Sequence, residues 1–313
     1  MADNEKTSTS DISKKGDRSD LDSYHAKRRR MRRDKAQERR DKAMGIKNHG
    51  AERSRVQRPK ITGNFEHGPC IYGLHTVRAA LQNPDRQLRG LMVTQNALQR
   101  LTDGFDGEVG ANLDALPAAP DVVEPSKLDK LVGSDADHQG CVLLVEPVEP
   151  KPFSALAEHR TILALDQVTD PHNVGAIMRS AVALGCGALL TTSRYSAAQT
   201  GALAKSASGG LDMIDFEEAT NLAGAIEELH AMGFQSLGLD SEGVKDFSDS
   251  LTDFQSDQPL LIIMGAEGKG LRQRTRETVG TLARLDMPGP IKSLNVSNAA
   301  ALALFCVHRH RLG

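Results

Sequence analysis

Three short segments of the chain concentrate the side chains that could handle a charged ligand. The first, DQVTDPHNVGAIMRSA, carries Asn173 and Arg179. A guanidinium forms paired hydrogen bonds with phosphate oxygens, and the Asn173 amide can cap a helix or contact a ligand. Because Gly175 has no side chain, it predicts an open helix surface above Arg179 that a bulky ligand could approach. The structural alternative is a helix cap followed by a solvent-exposed arginine.

The second segment, IIMGAEGKGLRQ, is glycine-rich and carries one acidic residue, Glu267. Gly265, Gly268 and Gly270 surround it, and glycine lets backbone amides and carbonyls approach a ligand closely. The spacing does not match a phosphate-binding P-loop, because Lys269 is followed by glycine, and it does not match G-x-G-x-x-G. With no dinucleotide fingerprint after its first strand, the chain is not a Rossmann dehydrogenase.

The third segment, LDMPGPIKSLNVSNAAALALFCVHRHR, combines small polar residues with an alanine-rich helix. Ser293 and Asn295 follow a Pro-Gly-Pro turn, a position where serine and asparagine ordinarily cap helices. The alanines after them predict close packing against a neighbouring element or a second subunit. The closing His-Arg-His-Arg suits a helix C-terminus because of the helix dipole. No catalytic triad is indicated, since nothing pairs Ser293 with a particular histidine and acid.

Alternating apolar runs predict the scaffold that positions these segments. The runs typical of strands cover residues 161–166, 187–192, 235–240, 259–264 and 282–287. Helical stretches lie near 173–184, 197–208, 219–232, 271–279 and 296–311. This order predicts an α/β fold with a mostly parallel sheet that helices cover on both faces. Ligands bind such sheets at the carboxyl ends of the strands, so the chemistry is expected in the loops after these runs.

A smaller α/β unit is predicted to precede this sheet, over residues 68–148. It consists of a short strand and helix that end at Asn83-Pro84, a strand over 88–94, a helix over 125–132 and a closing strand over 138–148. The proline-rich join EPVEPKP then predicts a linker, taken as 149–159, before the larger domain at 160–313.

Charge is distributed unevenly along the 313 residues. Residues 1–67 hold 19 basic and 11 acidic side chains, and the remainder hold 20 and 30, so a tail of net charge +8 precedes a body of −10. The tail has almost no apolar periodicity, which predicts disorder. Its densest part, residues 27–42, predicts an arm that binds RNA phosphates, and a solubilising tail is the alternative. The arginines expected to contact RNA are Arg28, Arg29, Arg30, Arg32 and Arg33.

Composition excludes several classes of protein. No apolar run is long enough to span a membrane, and the N-terminus lacks the apolar region of a signal peptide. Cys70, Cys141, Cys186 and Cys306 lie far apart, without metal-binding or redox spacing. We therefore expect reduced, mostly buried thiols in a cytoplasmic protein. The lack of tryptophan and an aromatic content of 4% argue against gripping single strands mainly by base stacking.

Taken together, the patterns N-x-G-x-x-x-R, G-A-E-G-x-G-L and M-P-x-x-x-x-S-L-N-V-S-N-A-A-A, in this order within residues 160–313, resemble the SpoU (TrmH-like) family of RNA ribose 2′-O-methyltransferases in the SPOUT superfamily. The unit at 68–148 contains YGLHTVRAAL near its start and HQG near its end. It is similar to the ribosomal-protein-like RNA-binding domain of the members that methylate a guanosine of 23S rRNA.

This resemblance implies a deep trefoil knot near the C-terminus, a homodimer with the active site near the subunit interface, and S-adenosylmethionine as the methyl donor, without a metal. The expected partner is 23S rRNA or an assembly intermediate of the large ribosomal subunit. The residues implied to contact the cofactor are Gly265, Leu285 and Leu294. The residues implied for catalysis are Arg179, Glu267, Ser293 and Asn295, with Asn173 nearby.

Two alternatives stay open at this point. A relative with the same chemistry would methylate a ribose of tRNA or of another rRNA site, whereas a ribosome-assembly factor would bind RNA without catalysis. The joint presence of Arg179, Glu267 and the Ser293–Asn295 pair weighs against the second alternative. The sequence departs from the family at Asp212, where a glutamate is expected, and this leaves the role of that loop and of Lys205 open.

Overall fold

The computed structural model of the chain describes residues 69–107, 109–193 and 197–312. The predicted basic tail, with Arg28, Arg29, Arg30, Arg32 and Arg33, lies outside the described residues. Within the described ranges, no helix has both the length and the apolar character needed to cross a membrane.

The first sheet lies in the N-terminal part of the described chain, with strand order β1-β4-β2-β3. Its elements are β1 (Cys70–Tyr72), α1 (Leu74–Gln82), β2 (Leu88–Val93), α2 (Gln95–Asp103), β3 (Asp121–Val122), α3 (Pro125–Val132) and β4 (Cys141–Val145). Strand β4 runs antiparallel to β1 and β2, and β3 pairs parallel with β2. The predicted elements all form. Helix α2 was not predicted, and it buries only Ala97 and Leu101 among mostly polar residues.

The second sheet has the order β7-β6-β5-β10-β8-β11-β9, and every described pairing in it is parallel. Its strands are β5 (Thr161–Asp166), β6 (Ala188–Thr192), β7 (Asp215–Ala219), β8 (Gln235–Leu239), β9 (Lys245–Asp246), β10 (Leu260–Gly265) and β11 (Thr281–Arg284). Its helices are α4 (Pro171–Ala183), α5 (Gly201–Ala207), α6 (Leu222–Ala231), α7 (Phe247–Leu251), α8 (Gln273–Thr278) and α9 (Val296–Leu312).

Helices cover both faces of this sheet, as the sequence predicts. Because side chains alternate along a strand, Leu163 and Leu165 of β5 enter one core, with apolar residues of α4, α5, α7 and α9. Ile162 and Ala164 point the other way, into a second core with Leu156 and the apolar face of α6. The parallel sheet is therefore buried on both sides.

Three features of this sheet differ from the prediction. Strand β7 reads DFEEA and was missed, because this edge strand fully buries only Phe216. Strand β9 and helix α7 are too short to give a periodic signal. Strand β11 ends at Arg284, short of the predicted residue 287, since the amide of Asp286 turns aside to donate to the Asp246 carboxylate at 2.9 Å.

The segment predicted as a linker is packed against the protein. Residues Phe153–Glu158 form a 3-10 helix that buries Leu156 completely, and the Lys151 amide donates to the Phe216 carbonyl of the edge strand at 2.9 Å. Just before it, the side chain of Gln199 exchanges two hydrogen bonds with the backbone of Val148. These bonds tie the join to the second sheet.

The N-terminal unit docks on helix α5. The Thr76 hydroxyl, buried on α1, donates to the Ala204 carbonyl at 3.1 Å. Lys205, whose role the sequence leaves open, pairs with Asp137 of the N-terminal unit at 3.0 Å. Lys205 therefore contributes to the junction between the two sheets.

All four cysteines are free thiols, and Cys70, Cys141 and Cys186 are buried. Burial raises the pKa of Cys70 to about 11 and the pKa of Cys141 and of Cys186 to about 12. These three thiols stay protonated at neutral pH, and the expectation of mostly buried cysteines is confirmed.

Candidate active site

A cavity of about 740 Å³ opens at the carboxyl ends of β8, β10 and β11. Its walls come from residues 239–242, 264–270, 284–287 and 292–294, together with side chains of α8 and α9. This is the edge of the sheet at which the sequence predicts ligand binding. The predicted site residues that line it are Gly265, Glu267, Leu285, Ser293 and Leu294.

The glycine-rich loop after β10 folds back on itself to form one wall. The Gly270 amide donates to the Ala266 carbonyl at 2.9 Å, and Gly268 and Gly270 adopt positive φ angles of 76° and 63°. A Cβ atom at Gly265 would lie 2.2 Å from the carbonyl carbon of Gly270. The loop therefore leaves no room for a side chain at position 265, and it presents its backbone and the exposed Glu267 to the cavity.

An ion pair holds the far end of this loop. Asp166, at the end of β5, is completely buried and accepts hydrogen bonds from the amide and the Nε atom of Arg272 at 2.9 and 2.6 Å. Leu271, next to Arg272, inserts into the second core. The glycine-rich loop is thus held at both ends, by β10 and by the Asp166–Arg272 pair.

Asn295 connects the first and third segments, which are far apart in sequence. Its Nδ2 atom donates to Oδ1 of Asn173 at 3.0 Å, and its Oδ1 atom accepts from the amide and the hydroxyl of Ser297 at 2.9 and 2.6 Å. The second set of bonds caps helix α9, as the prediction of a helix cap in this turn requires. The bond to Asn173 places that residue beside Asn295, which adjoins the lining residues Leu294 and Val296 without lining the described cavity itself.

Asn173 is not the cap of its own helix, contrary to one of the predicted roles. Helix α4 begins at Pro171, and the cap is Asp170, which accepts from the His172 amide at 3.1 Å. Because Asn173 lies in the first turn instead, its side chain is available to Asn295.

The expected opening above Arg179 is also wrong. A Cβ atom at Gly175 would lie 2.4 Å from the Leu203 carbonyl oxygen and 2.6 Å from Cβ of Ser206. Gly175 therefore permits close packing of α4 on α5. Arg179 is exposed for another reason, since it faces away from the buried stripe of α4, and it is not among the described residues that line the cavity.

Several charged residues of the cavity were missed by the sequence analysis. Asp240 and Glu242 follow β8, and both pair with Arg276 of α8, with 3.5 Å between Asp240 Oδ2 and Arg276 Nε. The sequence signal that could have identified them is their position at and just after the end of the predicted strand 235–240. The loop there carries acidic residues but no distinctive motif.

The cavity fits S-adenosylmethionine by size and by lining. Its volume lies within the range of about 300–1,000 Å³ of small-molecule sites. Backbone groups of the glycine-rich loop, the carboxylates of Asp240 and Glu242 and the Lys292 ammonium can meet a ligand that carries both charges and hydroxyl groups. Within the described parts of the chain, no group of histidine, cysteine or acidic residues could hold a metal ion.

Comparison with known families gives two matches. Residues 160–305 match the SpoU rRNA Methylase family, and residues 70–151 match a domain described as RNA 2′-O ribose methyltransferase substrate binding. The two matches cover most of the described chain and fall on its two sheets.

Curated relatives resemble the chain over nearly their whole length. The 23S rRNA (guanosine-2′-O-)-methyltransferase RlmB of Vibrio vulnificus is 35% identical over 252 residues, which cover 77% of this chain and 97% of the relative. The protein of the same name from a Burkholderia species is 38% identical over 250 residues, with 77% and 96% covered.

Solved structures share the fold. The SpoU methyltransferase AviRb from Streptomyces viridochromogenes, in complex with AdoMet, aligns with a TM-score of 0.61 at 22% identity, over 78% of this chain and 90% of that one. An AdoMet-bound rRNA methyltransferase from Sinorhizobium meliloti aligns with a TM-score of 0.58 at 24% identity, over 79% and 89%.

Proposed function

The chain belongs to the SpoU rRNA methylase family, and from this premise we propose that it methylates the ribose 2′-hydroxyl of a guanosine in 23S rRNA, with S-adenosylmethionine as the methyl donor. The observation that carries the proposal is the convergence of the second and third segments on one cavity, with Asn295 tying the first segment to its wall. The substrate is free 23S rRNA or a large-subunit assembly intermediate, which places the activity in the cytoplasm.

The bound cofactor supplies an electrophilic methyl group on a sulfonium. The glycine-rich loop, Leu285 and Leu294 line the cavity and would hold the cofactor, largely through backbone groups. The remaining task of the protein is to align the ribose oxygen with the methyl group, so that the O–C bond forms as the S–C bond breaks while the hydroxyl proton leaves to water. Such alignment contributes up to about 7–11 kcal/mol to lowering a barrier.

Arg179 is assigned to the RNA. A guanidinium stays protonated at physiological pH, so it makes a poor base but a good ligand for the phosphate beside the target ribose. Positive charge there favours loss of the hydroxyl proton. Ser293 or Asn295 orients the oxygen, and Glu267 on the cavity wall completes the group.

A homodimer is part of the proposal and is supported by the outer face of α9. Leu302, Phe305 and Leu312 repeat at helical spacing and are 46%, 51% and 66% exposed. An apolar stripe of this kind is typical of an interface. Because Arg179 lies outside the cavity of its own chain, a second copy packed on α9 is proposed to complete the active site.

Placing glutamate at both Leu302 and Phe305 is therefore expected to halve the mass measured by light scattering, from twice the chain mass of 33.8 kDa, and to abolish methyl transfer. The matched control is Met232→Glu, an equally simple change of an exposed apolar residue at the end of α6. A chain that stays dimeric with both glutamates would contradict an interface on α9.

The trefoil knot and the domain boundaries also belong to the proposal. Helix α9 follows the last strand and returns to pack on α4, with Asn295 bonded to Asn173, which supports a chain threaded as the family resemblance implies. The two separate sheets support an RNA-binding domain over 68–148, a join at 149–159 and a catalytic domain over 160–313.

The proposed reaction is tested with purified full-length protein, radiolabelled S-adenosylmethionine and separate pools of unmodified 23S rRNA, 16S rRNA and tRNA. Label at one guanosine of 23S rRNA, located by ribose-methylation mapping, is expected. Label in tRNA or 16S rRNA would keep the chemistry and overturn the substrate. Cofactor binding without label in any pool, including large-subunit precursors, would favour a non-catalytic assembly factor.

Deleting residues 1–67 is expected to weaken RNA binding and to flatten its salt dependence, with cofactor affinity unchanged. Each phosphate contact contributes about 0.7–0.9 to the slope of log K against log salt, so five arginine contacts predict a slope reduced by about 4. The measurement is a salt titration of RNA binding, with a tail of the same length and all five arginines changed to glutamine as the control. An unaltered slope would refute the role of the tail.

A further inference from the structure

A buried ion pair joins the N-terminal unit to the catalytic sheet. The side chain of Asp212, in the turn Gly210–Asp212, is completely buried, and the Arg86 side chain that faces it is only 2% exposed. The Nε atom of Arg86 lies 3.6 Å from Oδ1 of Asp212, and Nδ2 of Asn83 donates to the same oxygen at 3.2 Å. Arg86 and Asn83 follow α1, so the contact spans the junction between the two sheets.

The pair is incompletely hydrogen-bonded. Nε and Nη1 of Arg86 and Oδ2 of Asp212 are buried and have no hydrogen-bond partner within the described part of the chain. Burial raises the pKa of Asp212, against the opposing effect of Arg86, and burial lowers the pKa of Arg86. A glutamate, expected here from the family pattern, would be one methylene longer and would keep the same charge facing Arg86.

The turn that carries Asp212 packs directly against helix α4, which carries Arg179. A Cβ atom at Gly210 would lie 3.2 Å from the carbonyl carbon and oxygen of Met178 and 3.3 Å from the amide nitrogen of Arg179. Leu211, between Gly210 and Asp212, is buried in the main core. The turn is thus wedged between Arg86 on one side and the backbone of α4 on the other.

We propose that Asp212 is a positioning residue that, with Arg86 and Asn83, couples the docking of the N-terminal unit to the backbone of α4 at Arg179. The inference rests on the proposed function of Arg179 and extends it to a residue that touches neither cofactor nor RNA. If the Asp212–Arg86 pair only stabilised the contact between the two units, its loss would lower stability and leave turnover per folded site unchanged.

The turnover test uses Asp212→Asn in the full-length chain. Because displacement of a catalytic group by about 1 Å can reduce a rate about 100-fold, kcat per cofactor-binding site is expected to fall between about 10- and 100-fold. The affinity for S-adenosylmethionine is expected to stay within about twofold, since Asp212 does not line that cavity. The stoichiometry of cofactor binding counts the folded sites. Asp212→Glu is expected to restore kcat.

The control variant is Lys151→Met, which removes the exposed Lys151–Asp85 pair at the same junction without touching the turn. Its kcat is expected to match the unaltered protein. If Asp212→Asn does not fold, Asn83→Ala removes the bond to Asp212, together with the exposed local bond from the Asp85 amide to Asn83 Oδ1, and is expected to lower kcat in the same direction. Unchanged kcat in Asn83→Ala would overturn the coupling.

Hydrogen exchange separates this inference from the proposed function. The amides of α4 are expected to exchange faster in Asp212→Asn than in Lys151→Met, whether or not an RNA substrate has been found. The first possible result is that α4 exchanges faster in Asp212→Asn while the unaltered protein methylates no RNA. This result would contradict the proposed function and support the coupling. The second possible result is that the unaltered protein is active and that Asp212→Asn has the same kcat and the same exchange rates in α4. This result would contradict the coupling and leave the proposed function intact.

Discussion

Replacement of Arg179 by lysine is expected to lower kcat for methyl transfer at saturating RNA by about 100-fold or more. Removing one oriented hydrogen-bond donor from an active site typically reduces kcat by about 10²- to 10³-fold, and lysine offers a single ammonium in place of the planar pair of donors. The affinity for S-adenosylmethionine is expected to stay unchanged, because Arg179 does not belong to the described lining of the cavity. Steady-state transfer of label and calorimetric titration of the cofactor measure the two effects separately.

The control for this prediction is Arg274→Lys, the same change at an exposed arginine of α8. It is expected to leave kcat within about twofold of the unaltered enzyme. Comparable activity of Arg179→Lys under saturating RNA would show that the second guanidinium donor is dispensable, and the bidentate role of Arg179 would have to be abandoned.

Addition of one methyl group at Gly265 is expected to disable the cofactor site. In Gly265→Ala the new Cβ would meet the Gly270 carbonyl carbon at 2.2 Å and the Leu271 amide nitrogen at 2.5 Å, so the glycine-rich loop must move. Overpacking of this kind costs about 1–3 kcal/mol, which corresponds to about 5- to 150-fold weaker binding if the whole cost falls on cofactor binding. Calorimetric titration with S-adenosylmethionine measures the loss directly.

The matched control is Gly289→Ala in the Pro-Gly-Pro turn, where an added Cβ meets no atom within 4 Å in the described structure. This variant is expected to bind the cofactor normally. Equal cofactor affinity in Gly265→Ala and Gly289→Ala would mean that the loop yields freely, and that its backbone does not shape the site.

The sheet and the place of the site could be predicted because both depend on local pattern. The run at 259–264 is apolar throughout and the run at 161–166 is apolar from Ile162 to Leu165, as expected of strands buried on both faces, and the glycine-rich loop follows the first of these runs directly. The carboxyl-end rule then indicates where a ligand binds, and the cavity lies there.

What could not be predicted depends on contacts between distant segments. The sequence around Gly175 does not indicate whether the helix surface there faces solvent or another helix. In the structure it packs against Leu203 and Ser206 of α5. The bond between Asn173 and Asn295 joins residues 122 positions apart, for which periodicity carries no signal. Asp240 and Glu242 could be recognised as residues of the site only once the structure showed Arg276 paired with both of them.

The packed join between the two sheets has a consequence for how a target would be chosen. Leu156 is buried in one core, and the buried Thr76 hydroxyl is bonded to Ala204, so the N-terminal unit is held against the catalytic sheet rather than suspended from it. If that unit grips RNA, the protein acts as a ruler of fixed length. An RNA would then be selected by the distance and angle between the feature that is gripped and the ribose presented to the cavity, so that a misfolded transcript with the right bases would still be refused.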